Sequence, residues 1–371
     1  MPGQNGAVIE LAGMLNDLEL LVNTESPSCD LPLMDASART LADVITRRLG
    51  AGVTIVDGPV GPHVWWRGGG TPRVLVVGHH DTVFPIGTCA ARPFAVVDGR
   101  ATGPGVFDMK AGIVQAIHAL ASLPSCDGVE LLITSDEEVG SDSSRALIEE
   151  RARACGAVLV LEPSADGGAL KTGRKGTGSF EVVVHGRAAH AGLEPEKGIN
   201  SLVAAAELIG TIITFADPAT GTTVTPTMAS AGTADNVVPA LTSVRVDVRV
   251  VAPGEKERIE QLMAGLTCTV PGASIELRGG IGRPPMHESA SATLFPLAVQ
   301  AAIELGLPAV SGVAVGGGSD GNFTAAIGVP TLDGLGAVGG GAHADHEFVL
   351  VDTMVDRARL LGQLVAAITS G

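Results

Sequence analysis

Four consecutive apolar residues, Val74–Val77, lead directly into the sequence Gly-His-His-Asp-Thr. A continuous apolar run that ends at a glycine is typical of a strand buried on both faces, and such strands belong mainly to parallel sheets. Ligands of open α/β sheets bind beyond the carboxyl ends of the strands. The histidine and aspartate after this strand therefore lie where a metal ligand and the residue that orients it are expected.

The rest of the N-terminal half alternates buried strands with amphipathic helices. Strands are predicted at residues 53–56, 63–67, 129–135 and 157–161, and helices at residues 7–23, 35–49 and 144–154, with one more that ends at Leu123. Strands that alternate with helices indicate βαβ units and a largely parallel sheet.

The pattern changes near Gly176. Residues 179–185 alternate apolar and polar side chains with a period of two, as in a half-exposed antiparallel strand. The elements predicted up to residue 278 follow the order β-α-β-β-α-β, that of the split βαβ sandwich. Helices at residues 290–305 and 352–368 then resume the first pattern. The sequence therefore predicts a discontinuous first domain of residues 1–177 and 284–371 and an inserted domain of residues 178–283.

Length and composition exclude several classes of protein. The 371 residues favour two domains, and the formal net charge of −16 argues against a nucleic-acid partner. The N-terminus lacks the basic start of a signal peptide, and no apolar stretch approaches the roughly 20 residues of a membrane span. The five cysteines lack metal-ligand spacing, so we expect mostly buried free thiols and a cytoplasmic protein without a membrane partner.

Acidic residues and histidines follow the buried strands and the later glycine-rich loops. If the strands are neighbours, these side chains converge at one edge of the sheet, and packed carboxylates stay ionised at pH 7 only when a cation compensates them. Two histidines and three carboxylates suffice for two zinc ions that share one carboxylate, a pair that activates water. The candidate residues are His79, Asp81, Asp108, Glu137, Glu138, Glu162 and His343.

Six segments in the order GHHDTV, GPGVFDMKAG, TSDEEVGS, LEP, GRAAHAG and GAHADHEFV resemble the M20 family of metallopeptidases. The resemblance covers residues 10–368 and is greatest to the glutamate-carboxypeptidase-like and aminoacylase-like branch. It implies an α/β, mostly parallel-sheet zinc-peptidase catalytic domain. It also implies that the inserted domain is a ferredoxin-like α+β (βαββαβ) domain that acts as a lid and forms a homodimer.

The resemblance also implies a role for each metal-ligand candidate. His79 and Glu162 would bind one metal, Glu138 and His343 the other, and Asp108 would bridge the two. The expected cofactors are two Zn²⁺ ions, with Co²⁺ or Mn²⁺ as possible alternatives. Glutamate at position 162 is typical of carboxypeptidase-type and aminoacylase-type members, whereas aminopeptidase-type members tend to have aspartate.

Further roles follow from the same resemblance. Asp81 would orient His79 through its distal ring nitrogen, and Glu137 would be the general base. The family often has a cis peptide after the bridging residue, here between Asp108 and Met109. His80 is out of register with the ligand pattern and is expected to be structural.

Substrate contacts are implied mainly in the inserted domain. His190 matches a histidine that reaches the active site of the partner in a dimer and stabilises the oxyanion. Asn236 and Arg249 match residues that bind the carbonyl or carboxylate of the substrate. The glycines Gly316, Gly317 and Gly318 together with Ser319 could form a backbone nest for the same carboxylate.

The amino acid that the substrate carries stays open. Arg283 matches an arginine that glutamate-releasing members use for the substrate side chain, but Ala169 stands where those members have lysine. Lys171, Arg174 or Lys175 could replace that lysine.

These observations favour a di-zinc hydrolase of the carboxypeptidase type. It would cleave an amide next to a free carboxylate, through a metal-bridged water with Glu137 as base, and release a C-terminal amino acid from a small peptide or N-acyl amino acid. An aminoacylase or deacetylase acting on N-acyl amino acids is the alternative. A non-hydrolytic small-ligand-binding protein and a purely structural module are less favoured, because the ligand set and the base are intact.

Overall fold

The computed structural model describes residues 8–370, and these form two compact units. The first contains the described residues up to Gly173, Met286–Val315 and the residues from Ser319 onward. The second contains Arg174–Pro285 and Gly316–Gly318. The roles predicted for the two, catalysis for the first and lid or dimerisation for the second, stay predictions.

Ten α-helices are found in the described residues. Those before and after the second unit are α1 Leu11–Asn23, α2 Leu31–Leu49, α3 Thr88–Ala91, α4 Ala111–Ala121, α5 Arg145–Cys155, α8 Leu294–Leu305, α9 Gly321–Ala326 and α10 Met354–Ser370. Those of the second unit are α6 Ser201–Ile212 and α7 Glu255–Ala264. The helix predicted from residue 7 begins, in the described part of the chain, at Leu11, and residue 7 itself lies outside that part.

The strands fall into a large sheet, a sheet in the second unit and two small sheets. The large sheet contains β1 Val53–Val56, β2 His63–Arg67, β3 Val74–His79, β6 Val129–Thr134, β7 Val158–Val160 and β14 Thr331–Leu332. The second unit contains β9 Gly176–His185, β10 Thr223–Ala231, β11 Leu241–Val250 and β12 Ser274–Arg283. The small sheets contain β4 Ala95–Val97, β5 Arg100–Thr102, β15 Gly339–Gly340 and β16 Phe348–Leu350, and β8 Leu170–Arg174 with β13 Gly312–Val315.

The large sheet has the order β1-β2-β6-β3-β7-β14. The four strands from β6 to β14 are parallel, whereas β1 and β2 add antiparallel pairs at one edge. Strand β3 lies inside the sheet, and alternate residues contribute to two different apolar cores: Val74 and Val76 to one, Leu75 and Val77 to the other. The continuous apolar run thus reflects burial on both faces, and the predicted mostly parallel α/β fold is confirmed.

The second unit is an antiparallel sheet of order β10-β11-β9-β12 with the helices α6 and α7. Its core takes alternate residues of β9, Phe180, Val182 and Val184, which agrees with the period of two in the sequence. The chain order β-α-β-β-α-β is the one predicted.

A buried charge cluster joins three helices of the first unit. Asp17 of α1 is 3% exposed and accepts hydrogen bonds from Arg47 (2.7 Å) and Arg48 (2.8 Å) of α2. His118 Nε2 of α4 lies 2.8 Å from the same carboxylate. The cluster therefore fixes how these three helices pack beside the large sheet.

The cysteines are all free thiols, as predicted, but the expectation that most are buried is wrong. Only Cys155 is buried, and Cys29 is exposed. In the described part of the chain, no helix is long and apolar enough to cross a membrane.

Candidate metal centre

Neighbouring strands of the large sheet carry the candidate ligands at their carboxyl ends. Strand β3 ends at His79, Glu137 and Glu138 lie in the short turn after β6, and Glu162 follows β7. Because β6, β3 and β7 are adjacent and parallel, their ends meet at one edge of the sheet. The sheet topology, rather than proximity in sequence, therefore brings these side chains together.

Asp108 lies between two histidines. Its Oδ1 is 3.3 Å from His79 Nε2, and its Oδ2 is 3.3 Å from His343 Nε2. Each histidine also faces a further carboxylate: His79 Nε2 is 3.7 Å from Glu162 Oε1, and His343 Nε2 is 3.2 Å from Glu138 Oε2. The side chains thus form two groups that share the Asp108 carboxylate.

The donor atoms of this centre fit metal ions. Those of His79, Asp108 and Glu138 lie within 4.8 Å of one another, as do those of His79, Glu137 and Glu162. His79 Nε2, Asp108 Oδ1 and Glu138 Oε1 are buried, and no described residue gives them a hydrogen bond. Buried polar atoms without partners are costly. A set of imidazole and carboxylate donors suits zinc, so two bound ions would satisfy these atoms.

Without metal, the two histidines compensate only part of the negative charge of the centre. Burial alone would lower the pKa of His79, but Asp108 and Asp81 outweigh it and raise that pKa well above its usual value. The carboxylates of Asp108 and Glu138 raise the pKa of His343 to about 10, against the effect of its partial burial. Protonation of the histidines therefore offsets part of the carboxylate charge, and metal ions would compensate the rest.

Comparison with known proteins identifies the family. The sequence profile of peptidase family M20/M25/M40 matches residues 75–367. The chain belongs to peptidase family M20. It is accordingly a metal-dependent hydrolase of the metallopeptidase and amidohydrolase type, as the motifs predicted.

Two relatives and one solved structure illustrate the similarity of this M20 chain. Carboxypeptidase G2 of Pseudomonas sp. (strain RS-16) is 30% identical over an alignment of 388 positions, gaps included, which covers 98% of this chain and 91% of the relative. Succinyl-diaminopimelate desuccinylase of Acidiphilium cryptum is 32% identical over 323 aligned positions, which cover 81% of this chain and 84% of the relative. The structure of an M20 family metallo-carboxypeptidase of Sulfolobus solfataricus has a TM-score of 0.78 at 17% identity. The match covers 96% of this chain and 99% of that structure, so the two share the fold.

Asp81 makes further contacts in this M20 chain besides the predicted contact with His79. His79 Nδ1 lies 3.0 Å from the backbone carbonyl oxygen of Asp81 and 3.4 Å from its Oδ1. The carboxylate also accepts hydrogen bonds from the backbone N–H groups of Glu137 and Glu138, both at 3.2 Å, and from Ser28 Oγ at 2.8 Å. Asp81 therefore orients His79 and also holds the turn that carries Glu137 and Glu138.

His80 is placed away from the ligand atoms by its own hydrogen bonds. Its Nε2 lies 3.0 Å from the Pro62 carbonyl oxygen and its Nδ1 2.9 Å from Ser37 Oγ. The carbonyl can only accept, so Nε2 carries the proton and the Ser37 hydroxyl donates to Nδ1. Burial lowers the pKa of His80 to about 4, which keeps the ring neutral. These contacts agree with the structural role predicted for it.

Two residues of the centre were missed by the sequence analysis. Glu347 is buried, and its carboxylate accepts backbone hydrogen bonds from Gly105, Phe107 and Asp108. Met109 Sδ accepts a hydrogen bond from the His79 backbone N–H at 3.0 Å, and the Asp108–Met109 peptide bond is cis, as the resemblance implied. Glu347 could have been noticed in the sequence because it lies four residues after His343 in GAHADHEFV, one of the segments that carry the resemblance.

His190 and Asn236 are neighbours within the second unit. His190 pairs with Val237, and the Ala191 N–H donates to the Asn236 carbonyl oxygen at 2.8 Å. The exposed His190 ring accepts hydrogen bonds at Nδ1 from two backbone N–H groups that follow it, each at 3.1 Å. In the neutral ring the proton is therefore on Nε2, which can donate to an oxyanion.

The predicted carboxylate-binding residues already have protein contacts. Arg249 donates to both oxygens of Asp247, at 3.0 and 2.8 Å. The carbonyl oxygens of Gly317 and Gly318 accept from Arg174 at 3.0 and 3.1 Å, and a Cβ on Gly318 would lie 3.2 Å from Arg283 Cδ.

The backbone between Gly316 and Ser319 lacks the geometry of a nest. None of the glycines at 316–318 has a positive φ angle, which alternating nest geometry requires. Ser319 is buried in the first unit, donating from its backbone to Asn322 at 2.9 Å and from its hydroxyl to Asp333 at 2.6 Å. Substrate binding by these residues stays a prediction.

Proposed function

We propose that this M20 chain is a di-metal hydrolase of the carboxypeptidase type. It cleaves the amide bond next to a free carboxylate and releases a C-terminal amino acid from a small peptide or an N-acyl amino acid. The observation that carries the proposal is the Asp108 carboxylate between two histidines, each of which faces another carboxylate. Similarity to carboxypeptidase G2 over nearly the whole chain supports it.

The proposed metal ligands are the residues of the two groups described above. His79 and Glu162 would hold one ion, Glu138 and His343 would hold the other, and Asp108 would contribute to both. Zn²⁺ suits this donor set best, with Co²⁺ or Mn²⁺ as alternatives. When bound, the two ions supply an activated water and polarise the carbonyl of the scissile amide.

Glu137 is the proposed general base. Its carboxylate lies among the donor atoms of His79 and Glu162, and its backbone N–H is held by the Asp81 carboxylate. Its side chain is buried, which limits competition from bulk water. Glu137 takes a proton from the attacking water and passes it to the leaving nitrogen, the usual two-step role of a catalytic carboxylate.

Residues of the second unit are proposed to bind the substrate. The Nε2–H of His190 stabilises the oxyanion, acting on the active site of the partner subunit. Asn236, Arg249 and Arg283 bind the carbonyl and carboxylate oxygens of the substrate, and Gly317 and Gly318 belong to the same unit. Because Arg249 is paired with Asp247, the substrate carboxylate would compete with Asp247 for its two parallel donors.

Substitution of the base tests this proposal. Glu137→Gln preserves the size of the side chain but cannot accept the proton, so we expect kcat to fall by about 10²- to 10⁴-fold. Metal content is measured on the same sample, and Glu150→Gln on the exposed surface of α5 is the matched control. A Glu137→Gln protein with full metal content and wild-type turnover excludes Glu137 as the base.

Acyl removal from an N-acyl amino acid is the second candidate function. The similarity to a protein named for removing a succinyl group from diaminopimelate favours it, because the same centre cleaves either amide. A panel of dipeptides, N-acetyl amino acids and N-succinyl amino acids separates the two. Higher kcat/KM for dipeptides supports the carboxypeptidase, and higher values for the acylated amino acids support the aminoacylase or deacetylase.

A homodimer through the second unit and a cytoplasmic location complete the proposal. Strand β10 lies at an edge of its sheet with Met228 67% exposed, and α6 exposes Leu202 and Val203. An open strand edge and apolar side chains on the same unit are features that a second copy can cover. The five free thiols support a reducing compartment.

A further inference from the structure

A buried carboxylate connects the loop that carries Asp108 with the loop that carries His343. Glu347 is 1% exposed. Its Oε1 accepts hydrogen bonds from the backbone N–H groups of Phe107 (2.7 Å) and Asp108 (2.8 Å), and its Oε2 accepts from Gly105 (3.0 Å). A single side chain thus satisfies three backbone donors of the segment that presents the shared carboxylate.

The backbone of Glu347 is part of the turn that presents His343. The Ala344 N–H donates to the Gly341 carbonyl oxygen at 2.9 Å, and the Glu347 N–H donates to the Ala344 carbonyl oxygen at 3.1 Å. His343 has a φ angle of 63° within this turn. Residues other than glycine rarely adopt that conformation, and it persists where the surrounding structure holds it.

The two candidate metal sites depend on this connection to different degrees. The site of Asp108 Oδ2, Glu138 and His343 takes two of its three side chains from the connected loops. The site of His79, Asp108 Oδ1 and Glu162 takes one, and its histidine is fixed instead at the end of β3 by Asp81 and Met109. Loss of the connection therefore disturbs the His343 site more than the His79 site.

We propose that Glu347 is a positioning residue that preforms the metal site of Asp108, Glu138 and His343 by clamping its two loops together. The inference rests on the proposed di-metal function and adds a residue to which that function assigns no role. Glu347 belongs to neither group of candidate metal-ligand donors. It acts through the backbone of Asp108 and the turn of His343.

Metal binding to the purified, metal-free full chain tests the clamp. Zn²⁺ is titrated against a competing chelator, and wild type is expected to bind two ions. In Glu347→Gln an NH₂ group replaces one carboxylate oxygen, and this group cannot accept a hydrogen bond from a backbone N–H. The clamp is therefore weakened, and one ion should bind about 10- to 100-fold more weakly. The other ion should change by less than about threefold, a difference between sites that general destabilisation does not produce.

Two further variants separate positioning from general stability. Glu255→Gln in the second unit removes another buried carboxylate, one that binds Thr222 and Arg258, and should lower stability without changing Zn²⁺ affinity. Glu347→Asp retains the charge on a shorter side chain and should recover part of the lost affinity. It also provides the comparison if the glutamine variant does not fold.

A double variant assigns the weakened ion to its site. If Glu347 acts through the His343 site, Glu347→Gln added to His343→Ala causes little further loss, because the two changes affect the same ion. Additive losses, equal weakening of both ions, or unchanged affinities in Glu347→Gln would overturn the inference. A wild-type protein that binds fewer than two ions would overturn the proposed di-metal function, and the inference with it.

Discussion

At the residue scale, the charge of each side chain in the metal centre depends on its neighbours. Burial raises the pKa of Asp108, but the nearby His343 and His79 rings outweigh it and hold that pKa well below its usual value. The same pairs raise the pKa of both histidines. The centre thus holds carboxylates and protonated histidines together before a metal ion binds.

Metal binding at neutral pH should therefore release protons. The pKa of His343 is raised to about 10 and that of His79 above its usual value, which favours protonated rings without metal, whereas a metal ligand must be neutral. We expect protons to be released on metal binding and an affinity that rises with pH. Zn²⁺ titration calorimetry in buffers of different ionisation enthalpy measures this release, and its absence would contradict the assigned ligands.

Gln115 is a residue whose replacement should stabilise the protein. It is fully buried in α4, and no described residue gives either polar atom of its amide a hydrogen bond. Gln115→Met keeps the volume and removes the unmet polar groups, so we expect a gain of about 1 kcal/mol in the free energy of unfolding. Urea unfolding measures it, with Gln261→Met on the exposed face of α7 as control. A less stable Gln115→Met would contradict the prediction.

At the element scale, strands with uniform burial could be predicted from the sequence, whereas the end of a strand that contains glycines could not. The run Val74–Val77 gave β3 because both its faces are covered. By contrast, β12 was predicted to end at Arg278 but continues to Arg283. Gly279 has a φ angle of 86°, and a Cβ there would lie 2.1 Å from the Ser179 carbonyl oxygen. These glycines permit close approach to β9 rather than ending the strand, and a single sequence does not distinguish the two.

The charge cluster of α1, α2 and α4 should give a stability that depends on pH. Burial opposes ionisation of Asp17, but His118 and Arg48 outweigh it and lower its pKa from 3.8 to about 2. A lowered pKa contributes stability above pH 3.8 that is lost as the pH falls from about 4 to about 2.

Asp17→Asn tests that contribution. At pH 7 the variant should be about 2 kcal/mol less stable than wild type, and the difference should shrink as the pH approaches 2. Urea unfolding of both proteins at pH 7 and pH 3 measures the difference. Asp35→Asn, in an exposed pair with Arg39, is the control and should change little at either pH. A penalty that is equal at both pH values would show that charge is not its cause.

At the scale of the whole molecule, the part of the centre that follows from chain order was predictable, and the part that depends on loop contacts was not. His79, Glu137, Glu138 and Glu162 follow strands, so their convergence follows from the sheet. The hydrogen bonds from Glu137 and Glu138 to Asp81, and the clamp of Glu347 on Asp108, join segments distant in sequence. No periodicity or spacing encodes such contacts, so they require the folded structure.

Association of two copies is the prediction that concerns the whole molecule most directly. Sedimentation velocity of the wild type should show a dimer, and Leu202→Lys with Met228→Lys should yield a monomer, because lysines at an apolar interface are costly to bury. Ile303→Lys is the control, since Ile303 is 67% exposed on α8 of the first unit. A wild type that is monomeric and fully active would contradict both the dimer and the assignment of His190 to a partner's site.

A comparison of acid and amide substrates tests whether the protein requires a free carboxylate next to the scissile amide. Hydrolysis of a dipeptide or N-acyl amino acid is compared with that of its C-terminal carboxamide, using the Zn²⁺-loaded wild type. We expect hydrolysis of the acid and a kcat/KM lower by at least about 100-fold for the carboxamide, because the amide loses a charge-assisted, bidentate contact with an arginine. Equal rates for the two compounds, or hydrolysis of neither, would contradict it.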